Sequence, residues 1–80
     1  MKIKILFFGM SKDLVGKNSV TLEFDDKLSI KEFRQQLTNI FPGLKEMETY
    51  TIAVNEEYAE EEQLLSENDT IAIIPPVSGG

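Results

Sequence analysis

Apolar and polar side chains alternate from Lys2 to Phe8, with Ile3, Ile5 and Phe7 on one face and Lys4, Leu6 and Phe8 on the other, which predicts a β-strand. Past its first residues that strand carries apolar groups on both faces. Gly9 to Asn18 reads as a loop holding Gly16, Lys17 and Asn18. Ser19 to Phe24 predicts a second strand, with Val20, Leu22 and Phe24 inward and Ser19, Thr21 and Glu23 toward solvent. Two strands in succession predict a hairpin.

The helix that follows has a well-marked start. Ser29 can cap it while Glu32 reaches back to the Ser29 amide, and Leu28 stands where it can pack on Phe33, so a capping box and a hydrophobic staple coincide. Ile30, Phe33, Leu37 and either Ile40 or Phe41 recur at helical spacing, leaving Lys31, Arg34, Gln35 and Thr38 to face water. Pro42-Gly43 ends the helix. Tyr50, Ile52 and Val54 then alternate with Thr51, Ala53 and Asn55 as a third strand, and a short edge strand falls around Tyr58. Leu64 and Leu65 are expected beneath the sheet, Glu67-Asn68-Asp69 forms a turn, and Thr70 to Ile74 is the last strand. The order β-β-α-β-(short β)-β predicts an α+β domain, residues 1–74, with one helix laid across one face of a sheet.

One helix covers one sheet face, so outward side chains on central strands should be polar unless something else covers them. If Ile71 and Ile73 point to the helix, then Ala72 and Ile74 point away, as do Leu6 and Phe8. Should the first and last strands be neighbours, Leu6, Phe8, Ala72 and Ile74 make an exposed apolar patch, the usual mark of a partner surface.

Composition narrows the chemistry. Eighty residues with 41% hydrophobic content fit one domain and one core. There is no cysteine, so no disulfide, thiolate metal site or thiol nucleophile, and no histidine, so neither the usual general base nor the commonest metal ligand. Ser11 and Ser78 have no histidine partner for triad chemistry. Asp25-Asp26 and the spaced glutamates lack the spacing of an EF-hand, and no bound metal or cofactor is expected. Eight basic against 14 acidic residues give a formal net charge of −6, which repels nucleic acid and anionic membranes. The acidic stretch Glu56 to Glu62 reads as a solvated loop. Neither a secretory signal nor a membrane span is visible, and a cytoplasmic location is expected.

What remains is the end of the chain, Pro75-Pro76-Val77-Ser78-Gly79-Gly80. Two prolines stop sheet pairing and send the backbone out in an extended, stiff direction. Two glycines remove every side chain from the last positions, which suits passage through a channel too narrow for a β-carbon. Residues 75–80 therefore read as an extended, flexible tail with a reach of roughly 20 Å, whose reactive group is the Gly80 α-carboxylate. A carboxylate is a poor electrophile until a partner enzyme joins it to a nucleotide phosphate.

With this tail, and with Ile3-Lys4-Ile5-Leu6-Phe7-Phe8, Ala53-Val54-Asn55 and Asn68-Asp69-Thr70, the chain resembles the small, sulfur-carrying subunits of molybdopterin synthases, within the ubiquitin-like β-grasp superfamily. The resemblance covers essentially the whole chain and implies a carrier that is not catalytic alone. A ubiquitin-activator-like adenylyltransferase would use ATP to attach AMP to Gly80. Sulfur from a sulfurtransferase route would displace the AMP to leave a thiocarboxylate, and the tail would enter the large synthase subunit and give its sulfur to cyclic pyranopterin monophosphate. The family also implies that first and last strands lie side by side and parallel. Gly80 and Gly79 become the reacting end, and Leu6, Phe8, Tyr58, Ile74, Pro75, Pro76, Val77 and Ser78 the candidates for partner contact. The alternatives are a sulfur carrier of thiazole synthesis, which the Pro-Pro-Val run and the chain length disfavour, and a ubiquitin-like interaction or modifier module.

Overall fold

A computed structural model describes residues 1–47 and 49–76, so the expectations placed on Val77, Ser78, Gly79 and Gly80 lie outside the described residues. Its elements are β1 (Lys2–Phe7), α1 (Met10–Val15), β2 (Ser19–Glu23), α2 (Ile30–Ile40), a 3-10 turn (Pro42–Glu46), β3 (Thr51–Val54), β4 (Glu57–Tyr58) and β5 (Thr70–Ile74). The strands form one sheet in the order β2-β1-β5-β3-β4. β1 and β5 run parallel side by side at its centre, and the other pairings are antiparallel. Among the described residues no helix is long and apolar enough to cross a membrane.

The period-two pattern sets the face of each strand as expected. Ile3, Ile5, Phe7, Ile52, Val54, Ile71 and Ile73 are buried beneath α2 together with Ile30, Phe33 and Leu37. Phe24 meets Phe33 edge-on with ring centroids 5.3 Å apart. Phe7 meets Phe41 in the same way at 5.6 Å, so Phe41 completes the helical stripe and Ile40 is left exposed. Such edge-to-face pairs add stabilisation beyond their buried area.

The start of α2 is the capping box that the spacing predicts. The Glu32 amide donates to the Ser29 hydroxyl, and the Ser29 amide donates to the Glu32 carboxylate. Replacing Ser29 by alanine is expected to cost about 1 kcal/mol, read as a shift of the urea midpoint. The bond from the Ser29 amide, with help from the Ser29 hydroxyl, holds the Glu32 carboxyl below its ordinary value. A carboxyl whose folded-state pKa is lowered contributes fully above its unfolded value and loses that contribution as pH falls through the lower folded one. The stability difference between the native chain and Glu32→Gln is therefore expected to narrow on acidification through that window.

Three local expectations are corrected. Residues 9–18 are not a plain loop: Met10–Val15 is helical, since Ser11, Leu14 and Val15 share one face that packs inward. Gly43 makes room for this helix, because a β-carbon there would lie 2.7 Å from the Leu14 carbonyl oxygen. Leu64 is exposed and only Leu65 is buried: Leu64 bridges Ser29 in an extended conformation, which turns neighbouring side chains to opposite sides. Arg34 does not simply face water, for it lies 4.8 Å over the Tyr50 ring, donates to the Tyr50 carbonyl at 2.6 Å and pairs with Glu61 at 2.7 Å.

Candidate functional site

The face of the sheet opposite α2 carries the candidate site. Strand register lines up Leu6, Ala72, Ala53 and Tyr58 as successive partners across β1, β5, β3 and β4. The row across β5 and β3 beyond it places Ile74 opposite Thr51. Phe8, Ala53, Glu56, Tyr58, Ala72 and Ile74 line an open hollow of about 560 Å³. Phe8 is 48% exposed and Tyr58 78%, unusually high for aromatic side chains with apolar neighbours.

Two turns set this geometry. At the β3–β4 connection Asn55 and Glu56 both have positive φ, 51° and 72°, the requirement of the tight hairpin turn that matches strand twist. The Asn55 side chain donates to Asp69 and accepts from the Thr70 amide, while the Asn55 amide donates to the Thr70 carbonyl. The sequence segments Ala53-Val54-Asn55 and Asn68-Asp69-Thr70 are thus joined in space, and their union aims Tyr58 across the face. At the other end β1 stops at Phe7 and β5 at Ile74. Pro75 is half-buried against Gly9, and Pro76 is exposed.

Phe8, Tyr58 and Ile74 are brought together as one lining, with Pro75 at its margin. Leu6 belongs to the same face but lines a neighbouring hollow with Phe8, Gly9, Lys12 and Asn18. Ala53 and Glu56, absent from the expected set, complete the main hollow. Ala53 was legible in principle: it has the outward parity of β3, and the strand order makes it the partner of Ala72.

A mixed sheet with parallel first and last strands and one main helix across it is the ubiquitin-like β-grasp architecture. SAMP1 of Haloferax volcanii shares that fold with a TM-score of 0.87 at 20% identity, over 100% of both chains. The chain belongs to the ThiS family, whose model matches residues 5–80. It is 36% identical over 83 residues to the molybdopterin synthase sulfur carrier subunit of Chlamydomonas reinhardtii, covering 100% of each. It is also similar to a chain in the protein–protein complex of subunits 1 and 2 of the molybdopterin-converting factor from Helicobacter pylori, with 27% identity, a TM-score of 0.71 and 100% of both chains covered.

Proposed function

We infer that the chain is the sulfur-carrying small subunit of a molybdopterin synthase. The carrying observation is the apolar face of Phe8, Tyr58, Ala72 and Ile74, which sits where the backbone leaves the sheet toward Pro75 and the Gly79-Gly80 end. A partner that seats on this face receives the terminal acyl group in the same act. An activating enzyme uses ATP to adenylate the Gly80 carboxylate, which gives the acyl carbon a good leaving group. A persulfide from a sulfurtransferase route then attacks the acyl carbon and expels AMP, and a thiol reductant cleaves the resulting acyl disulfide to leave a thiocarboxylate. In the large subunit the sulfur passes to cyclic pyranopterin monophosphate. The chain itself offers no histidine or cysteine for catalysis, which suits a substrate-like carrier whose partners supply acid, base and nucleotide chemistry.

Intact-mass measurement of the chain isolated from its native cell tests this reading. Exchange of one terminal oxygen for sulfur is the expected result. An isopeptide-linked adduct to lysine in its place would assign the chain as a modifier, and transfer of the sulfur to a thiazole precursor but not to the pterin would assign it to that pathway.

A further inference from the structure

The parallel pairing of β1 with β5 sets Lys4 opposite Thr70 and Leu6 opposite Ala72. The Lys4 amide donates to the Asp69 carbonyl and the Phe8 amide to the Ile73 carbonyl. In this evenly spaced ladder the next donor due is the amide of residue 75, and its acceptor is the Phe8 carbonyl. Residue 75 is proline and has no amide hydrogen. The Phe8 carbonyl is served from elsewhere: it accepts from the Ser11 hydroxyl at 2.6 Å and from the Ser11 amide at 3.1 Å. The same hydroxyl stands 3.5 Å from the Ile73 carbonyl, so it spans the ends of both strands.

Ser11 is fully buried, alone among polar side chains of the described residues. Beside it Gly9 has φ 52° and ψ −130°, a conformation that residues with a β-carbon rarely adopt. The ring of Pro75 rests against this glycine, where a β-carbon would lie 3.4 Å from Pro75 Cγ. The buried hydroxyl and the side-chain-free turn therefore meet at the point where the chain leaves the sheet.

We propose that Ser11 is a positioning residue for the carrier reaction: its hydroxyl replaces the donor that Pro75 lacks, and with Gly9 it fixes the direction in which the chain leaves β5. This rests on the sulfur-carrier reading above. Ser11 acts through the Phe8 and Ile73 carbonyls at the ends of the two strands, not on the reacting carbonyl. Without the hydroxyl the ends of β1 and β5 loosen and the exit samples more directions, a cost met when the partner orders it. Once seated, the acyl carbon meets the same partner groups, so the loss falls on KM and not on kcat.

The test compares the native chain, Ser11→Ala, Pro75→Ala and the double variant, each loaded as the thiocarboxylate and assayed with the cognate large subunit, and each melted. Ser11→Ala is expected to raise the KM for the carrier about tenfold with kcat within about twofold, and to lower the Tm by about 5 °C. In the double variant the alanine that replaces Pro75 restores an amide hydrogen facing Phe8, and more than half of that Tm loss is recovered. Simple additivity of the two Tm changes, or an unchanged KM in Ser11→Ala, overturns the proposal. If Ser11→Ala does not fold, a folded double variant supports the proposal and an unfolded one overturns it. Should the native thiocarboxylate transfer no sulfur, the carrier reading fails, while the melting comparison still decides whether the hydroxyl replaces the missing donor.

Discussion

Deletion of Gly80 is expected to lower sulfur transfer at least about a thousandfold while moving the Tm by no more than about 2 °C. The two halves of that expectation have separate causes. Removing one residue draws the terminal carbonyl back by ~3.3–3.6 Å, and a displacement of 1 Å at a reacting centre already costs about a hundredfold. The new terminus also becomes Gly79, so the chemical group survives and only its reach changes. Stability is expected to hold because a glycine brings no side chain to bury, and the buried core of the described residues runs from Ile3 to Ile73. The measurement is single-turnover transfer from purified thiocarboxylate, with a thermal melt of the same sample. Retained transfer would show that the terminal acyl carbon is not the reacting atom, and loss of the fold would show that the last residue is structural.

The parts of this molecule legible in its sequence are those where one local rule acts alone. The alternation in Lys2 to Phe8 and the Ser29–Glu32 box each report a single element, and both stand in the structure. α1 was hidden because its inward face is short and begins with a serine, Ser11, whose burial depends on strand carbonyls that come from Phe8 and Ile73. Nothing near residue 11 announces residue 73. Arg34 shows the same limit, since helical spacing gives its direction but not Tyr50 and Glu61 waiting beside it. The outer apolar face was readable as strand parity. Its shape was not, because the hollow requires Ala53 from β3 and a turn at Asn55–Glu56 held by Asp69 and Thr70.

Small side chains at the centre of that face explain its form. Ala53 and Ala72 are paired across β3 and β5, while Phe8, Ile74 and Tyr58 stand around them. Large rims around a floor of alanines make a depression that bulky partner side chains can enter. Buried contacts of this kind concentrate binding energy in few residues. Five glutamates between Glu56 and Glu62 lie mostly exposed beside it, with Glu61 engaged by Arg34.

Phe8→Asp is accordingly expected to weaken association with the large subunit by at least about 2 kcal/mol, some thirtyfold in Kd. Phe8 borders both hollows of the outer face, and its backbone is held by the Ile73 carbonyl and the Ser11 side chain, bonds that a change of side chain does not remove. Substitution therefore removes the aromatic surface and leaves the strand pairing in place. An aspartate also adds charge to a chain already at −6, so two further variants separate the causes. Phe8→Ala removes the ring without charge and is expected to retain at least half of the loss. Gln36→Asp adds the same charge at an exposed position of α2 and is expected to change Kd by less than about twofold, as a screened surface charge does. Calorimetric titration of each variant gives the answer. Equal binding by Phe8→Ala and the native chain would take Phe8 off the contact surface. Equal losses in Phe8→Asp and Gln36→Asp would make the effect one of net charge, and the hollow would lose its claim to be the seat of the partner.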